Sequence, residues 1–366
     1  MDQFIDGFIG GSAQRFLIGR DPPNRVVAMT KVVAMNLETL AVEPIIEQTV
    51  PFSMSAVSDG HWLVWDDSVN PGLVVRDLET GAESRLFEDM SREDSNVRPL
   101  QVDGGRLVVL ARSFVVSPPR SLLVIVDLAS GNQRLIGPVA SSGVALSGDL
   151  LAFGTRPSDD SDTPPFAEFL GGRNIELVDL ATGEQKTLAS NPDLSEIGRV
   201  WIAGTRVIWT EERPPDLSDE LVVFGVVVVK SYDTQSGQSV TVTSLPIGRS
   251  ALEEPERQQL ADVGPGGILV RRTRAATPLL IGSLQLALVG QESESYEVRG
   301  FDGKSMPVIE FTGPFVLKVY PNSPPFSSTG ARMVGDFIVL RDSISGDYVV
   351  HDTRTGSQRR FDPFAE

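Results

Sequence analysis

The sequence predicts an all-β fold assembled from repeated four-stranded sheets, on three observations. A phrase made of a β-branched run, an Asp and a Ser/Thr-Gly pair returns along the chain. A Gly-containing turn running into an apolar strand precedes each return. Glycine and proline are plentiful, 34 and 25 of 366 residues, which suits many turns and few long helices.

The phrase is plainest as Val74-Val75-Arg76-Asp77-Leu78-Glu79-Thr80-Gly81, Ile125-Val126-Asp127-Leu128-Ala129-Ser130-Gly131 and Leu177-Val178-Asp179-Leu180-Ala181-Thr182-Gly183. It returns around Asp233 to Gly237 and Asp352 to Gly356. Degenerate copies lie at Asn36 to Thr39 and at Arg299 to Gly303, where Asp302 is taken as the anchor. Successive anchors are 41, 50, 52, 54, 69 and 50 residues apart. A period near 50 is that of a propeller blade, well above the period of a leucine-rich or ankyrin unit. The β-branched run reads as a strand. The Asp can accept bonds from nearby backbone N–H groups, and Gly supplies the positive φ of a tight turn. Polar residues such as Glu184-Gln185-Lys186 follow as an outer edge strand.

The second phrase is seen as Asp59-Gly60 before Trp62 to Trp65, Gly104-Gly105 before Leu107 to Leu110, and Gly148-Asp149 before Leu150 to Phe153. It recurs as Gly204-Thr205 before Val207 to Trp209, Gly266-Gly267 before Ile268 to Val270, and Gly335-Asp336 before Phe337 to Leu340. These strands are apolar on both faces, as a sheet packed between two neighbours requires. Each repeat therefore reads as strand A, tight turn, strand B, variable loop, strand C, Asp-anchored turn, strand D. The expected fold is a β-propeller of seven four-stranded blades, with six blades plus an irregular N-terminal strand pair as the alternative. It forms a single domain with blades near 4–50, 51–90, 97–138, 139–190, 196–245, 258–311 and 312–363. The Asp-Gly, apolar strand, Asp-Leu-x-x-Gly series resembles the WD40-like propellers of bacteria, in particular the repeats of TolB-like proteins. That resemblance covers roughly Phe4 to Phe361 and implies architecture; such folds host scaffolds, receptors and enzymes alike.

In an antiparallel blade the A–B and C–D turns emerge on one edge, and the B–C and D–A connections on the other. The first class is short throughout, so that edge is expected to be flat. The second class is long and in places acidic and proline-rich. This points to a partner-docking edge whose candidate residues are Asp66, Asp67, Asp159, Asp160, Asp162, Phe166, Glu211, Glu212, Asp216, Glu253 and Glu254. Proline there limits the ordering cost of binding.

The formal net charge is −17, which repels nucleic acid and acidic lipid surfaces. No run approaches the ~20 apolar residues of a membrane-spanning helix. Leu221 to Val229 and Leu279 to Gly290 are read as buried strands. No basic leader segment opens the sequence, so the expected location is cytoplasmic, or periplasmic or cell-surface if a leader has been removed. Cysteine is absent, which removes disulfides, thiolate metal sites and cysteine nucleophiles.

Only two histidines occur, so a three-His metal site is ruled out. His351 precedes an anchor where Arg76, Val126, Val178 and Tyr232 stand in other repeats, so that slot does not demand imidazole. Gly303-Lys304-Ser305 lacks the earlier Gly of a phosphate loop and reads as a hairpin turn. Asp159, Asp160 and Asp162 make at most half a calcium loop. No cofactor or metal is expected. The functional expectation is a non-enzymatic protein-interaction module or structural subunit; the alternative is a carboxylate-based hydrolase or small-ligand receptor using a central channel.

Overall fold

The computed structural model describes residues 5–21, 28–29, 31–46, 50–67, 70–89, 95–113, 120–138, 143–155, 174–190, 196–213, 225–247, 256–274, 277–281, 284–289, 291–314, 331–341 and 347–364. The described residues are all-β, and no helix among them is long and apolar enough to cross a membrane. The chain falls into two compact units, Met1–Val207 with Pro363–Glu366, and Ile208–Asp362.

Strand pairing gathers the chain into successive antiparallel sets of four. The first set comprises Ile5–Gly11, Phe16–Asp21, Lys31–Met35 and Val42–Ile46, and the second Val50–Ser58, Trp62–Asp67, Leu73–Asp77 and Glu83–Leu86. A parallel bridge, Gly10 to Ser58, joins these two through their A strands. A Cβ on Gly10 would lie 2.8 Å from the Ser58 carbonyl oxygen, so the bridge needs glycine there. The third set is Ser95–Asp103, Arg106–Ser113, Arg120–Asp127 and Gln133–Pro138, and the fourth Val144–Ser147, Leu150–Thr155, Asn174–Asp179 and Gln185–Ser190. The fifth is Glu196–Ala203, Arg206–Arg213, Gly225–Asp233 and Ser239–Ile247, with the unit boundary inside its second strand. The sixth is Glu256–Gly264, Gly267–Arg274, Gln291–Arg299 and Ser305–Pro314, and the seventh Ala331–Val334, Phe337–Arg341, Tyr348–Asp352 and Gln358–Phe361. Each set is contiguous in sequence. This is the β-propeller fold.

The wide 69-residue anchor spacing has a structural cause. Between strands B and C of the sixth sheet the chain inserts a separate hairpin, Thr277–Ile281 with Leu284–Val289. This corrects the reading of Leu279 to Gly290 as one buried strand. The register pairs the two short runs with each other and leaves them out of the four-stranded sheet.

The anchored turns form as the sequence requires. Asp77 Oδ1 accepts the N–H of Glu79 at 2.8 Å and of Thr80 at 3.1 Å, while Gly81 donates to the Asp77 carbonyl at 2.8 Å. Asp127, Asp179, Asp233 and Asp352 repeat that carbonyl bond with Gly131, Gly183, Gly237 and Gly356. Asn36 does the same work in the first sheet, accepting from Glu38 and Thr39 at 2.9 Å. The residue after the anchor then donates its N–H to the A–B turn of its own sheet: Leu37 to Ala13, Leu78 to His61, Leu128 to Gly105, Leu180 to Asp149 and Thr353 to Asp336, all within 2.7–2.9 Å. The sixth sheet departs from this. Gly300 takes the anchor position, closing a shorter turn with Lys304 and Gly303, and Asp302 sits inside the turn, where it accepts from Lys304 N.

Packing explains why B strands are apolar on both faces. In the second sheet Leu63 and Trp65 join Leu17, Val32 and Val74 in one cluster, while Val64 joins Val75, Leu107, Val109 and Val126 in another. Val108 in turn faces Leu151, Phe153 and Val178 of the fourth sheet. Alternate residues of one strand thus feed two different interfaces. Each side chain buried this way contributes ~1.5–3 kcal/mol. Side chain-to-backbone bonds fasten neighbours. Gln101 donates through Nε2 to the Leu146 carbonyl and accepts from Leu146 N–H, both at 2.9 Å. Asp103 accepts from Gly148 N at 2.6 Å.

Candidate functional site

Two edges of the sheets compete as functional surfaces. The first carries the B–C and D–A connections. Six residues separate Ser113 from Arg120, eleven Arg213 from Gly225, and eighteen Thr155 from Asn174. By contrast, two residues make the A–B turn in the third through seventh sheets. Of the docking candidates on this edge, Asp159, Asp160, Asp162, Phe166, Asp216, Glu253 and Glu254 lie outside the described residues.

Of the rest, Asp66, Asp67 and Glu211 are buried at strand ends, and Glu212 lies in the strand Arg206–Arg213. Asp66 and Asp67 end the strand Trp62–Asp67 and are only 8% and 5% exposed. Asp67 Oδ2 accepts from Arg85 Nη2 at 2.6 Å and from Asn70 Nδ2 at 2.9 Å. Glu211 is 6% exposed and accepts the Trp209 indole N–H at 3.0 Å; Glu212 follows it within the strand Arg206–Arg213. The ladder outruns the apolar run, and Asp67 and Glu211 find donors at that depth. Buried and bonded in this way, Asp67 and Glu211 hold strand ends in place.

The second edge carries the short turns, and it is not flat. In the first unit, turns of the first two sheets enclose a cleft of about 550 Å³ lined by Gln14, Arg15, Val42, Glu43, His61 and Glu79 among others. Arg15 is positioned by the Ser12 turn, which accepts its N–H through both the Ser12 carbonyl and Oγ at 3.2 Å. Its Nη2 donates to Glu43 Oε1 at 3.2 Å and Oε2 at 3.1 Å. His61 follows Asp59, whose Oδ1 accepts the N–H groups of His61 and Trp62 at 2.9 and 2.8 Å. The ring edge-stacks on Trp62, with centroids 5.0 Å apart. Its Nδ1 lies 3.1 Å from Glu79 Oε1 and its Nε2 4.0 Å from Asp77 Oδ1. The backbone N–H groups of Glu79 and then Thr80 hold the Asp77 carboxyl below the usual carboxylate range, with a smaller pull from His61.

The cleft therefore presents donors and carboxylates in matched pairs around a small apolar wall. That composition suits polar recognition. A Ser-His-Asp relay would need a hydroxyl on one side of the imidazole, and both flanks of His61 carry carboxylates. No sequence motif marked this site, because Arg15, His61 and Glu79 come from three separate turns and Glu43 from the strand Val42–Ile46. The usable signal was that turns at one repeat position share an edge.

No family model matches the chain, and no curated protein matches it either. The fold is found among solved structures. An oligogalacturonate lyase in complex with manganese is 12% identical, with 94% of this chain and 88% of that one covered at a TM-score of 0.55. The β-propeller domain of the Trilobed protease from Pyrococcus furiosus, described as having an open velcro topology, is also 12% identical, with 99% of both chains covered at a TM-score of 0.55. At such identity the likeness is one of fold.

Proposed function

We propose that this chain is a non-enzymatic protein-interaction module, or a structural subunit of a larger assembly, which docks a protein partner through the edge of long B–C and D–A connections. In this reading it is a single domain of seven blades from a WD40-like, TolB-like lineage. The observation that carries it is the asymmetry of the two edges: turns of two to six residues on one, connections of up to eighteen on the other. Long connections in a compact fold are usually functional or disordered. Buried Asp67 and Glu211 then brace the strand ends from which the connections leave, and the net charge of −17 favours a basic partner surface.

The test is removal of Ser158 to Gly171 with a short Gly-Ser bridge. The melting temperature is expected to stay within about 2 °C, because the pairings that join the four strands of the fourth sheet lie outside the deleted residues. A complex captured from the native source is expected to be lost. A complex that survives this deletion and equivalent deletions in the other long connections overturns the reading.

A second reading, a small-ligand receptor, draws on the cleft at Arg15, Glu43, His61 and Glu79. It expects a soluble polar ligand to raise the melting temperature of the native chain. It also expects that rise to vanish in Arg15→Ala.

A further inference from the structure

His351 is the one histidine with no role in either edge. It lies in the strand Tyr348–Asp352 of the seventh sheet, opposite Ile338 on one side and Gln358 on the other. It is 4% exposed, and neither Nδ1 nor Nε2 has a hydrogen-bond partner. Strand register puts it on the face that packs against the sixth sheet. Ile338 and Val349 of that face join Tyr296 and Leu269 of the sixth sheet in one cluster. Gln358, beside the imidazole, reaches across to the Val308 carbonyl. An imidazole with both nitrogens unpaired is tolerable when neutral, but a buried imidazolium with two unanswered N–H donors is not.

The charged and titratable groups around it offer little help. Asp352, next along the strand, is held by Arg354 through its side chain and backbone N–H. Arg360 of the outer strand pairs with Asp347 at 3.8 Å. On the sixth sheet Tyr296 lies fully buried in the same cluster, and Asp262, 8% exposed, accepts the N–H of Met333 of the seventh sheet at 2.8 Å. Burial pushes the His351 pKa below its ordinary 6.5, and Asp352 offsets this only in part.

We propose that His351 makes the packing of the seventh sheet on the sixth acid-sensitive, so that protonating its imidazole releases Ala331–Phe361 from its neighbour. The sign follows from linkage. The closed state binds the proton more weakly than the open one, so closure is fully supported above pH ~6.5. It is then lost progressively as pH falls from there toward the lower folded value. One pH unit below 6.5, opening is favoured by up to about tenfold.

Hydrogen exchange at pH 7.5 and 5.5, corrected for intrinsic rates, tests this on the full chain. Protection of the seventh sheet is expected to fall about tenfold relative to the third sheet, and His351→Val is expected to abolish the difference. Valine fills this repeat position at Val126 and Val178, and tyrosine fills it at Tyr232, so His351→Tyr serves as a second variant if the first fails to fold. With only two histidines, labelled-imidazole NMR reads the His351 titration directly, with His61 as internal reference. A pH-independent seventh sheet, an unchanged response in both variants, or a midpoint at or above 6.5 each overturns the proposal.

Discussion

Leu40 occupies the place that glycine holds in five other anchored turns. Its N–H donates to the Asn36 carbonyl at 2.8 Å, as Gly81, Gly131, Gly183, Gly237 and Gly356 donate to their anchors. Its φ is 61°, against 70–79° for those glycines. A side chain in this region costs ~1–2 kcal/mol, and glycine gives back ~0.5–1 kcal/mol in unfolded-state entropy. Leu40→Gly is therefore expected to stabilise by about 0.5–1 kcal/mol in urea unfolding; a loss would mean that Leu40 packing outweighs its strained backbone. The anchors give a companion prediction. The Asp179 carboxyl is held low, first by the Thr182 N–H and also by that of Ala181; the Asp352 carboxyl is held at about 2, first by the Arg354 side chain. Carboxyls lowered in the folded state support it above their unfolded pKa, and that support disappears as pH falls from about 4 toward 2. Asp179→Ala should lower the melting temperature at pH 7. Asp179→Asn should lower it less than half as much and also flatten the acid limb, since Asn36 already shows an amide oxygen making the same turn. Equal losses in the two variants would show that the turn depends on charge more than on its acceptor.

At the scale of the element, the clasp between the third and fourth sheets is the sharpest test of packing. Gln101 satisfies both the N–H and the carbonyl of Leu146, so Gln101→Ala leaves two half-buried backbone groups bare. A loss of about 2 kcal/mol in chemical unfolding is expected; a loss under about 0.5 kcal/mol would mean that water replaces the amide. The same elements show what the sequence makes legible. Asp-x-x-x-Gly turns could be read because all their bonds close within five residues. Asp302 misled because one residue is missing from that turn, so Gly300 meets the partner strand where Asp stands elsewhere. Asp66, Asp67 and Glu211 were read as loop because hydropathy stops at the last apolar residue. The ladder does not: Asp66 pairs with Leu73 and Asp67 with Phe52. The cleft at Arg15 and His61 left no local trace, since it depends on turns that meet only once the first two sheets are side by side.

For the whole molecule the governing quantities are contiguity and charge. Among the described residues every four-stranded set is drawn from one stretch of chain, and besides packing and side-chain clasps the Gly10–Ser58 bridge and the pairing of Ala28–Met29 with Val50 and Pro51 tie the first set to the second. Against that attraction stands the repulsion of 49 acidic groups by one another, relieved by 32 basic ones. Local ion pairs such as Arg15–Glu43, with a glutamate 60% exposed, are worth little at the surface. Long-range repulsion, by contrast, acts over the Debye length, about 30 Å at 0.01 M salt and about 8 Å at 0.15 M. Salt should therefore screen more repulsion than attraction. The melting temperature at pH 7.5 is expected to rise by several degrees between 10 and 300 mM NaCl, with most of the rise complete by about 150 mM, where the screening length has fallen below the spacing of distant charges. Sodium sulfate at matched ionic strength separates this from improved apolar burial, because sulfate strengthens burial beyond screening. A melting temperature that falls with NaCl would show that the ion pairs between turns, and not the bulk charge, set the electrostatic balance of the molecule.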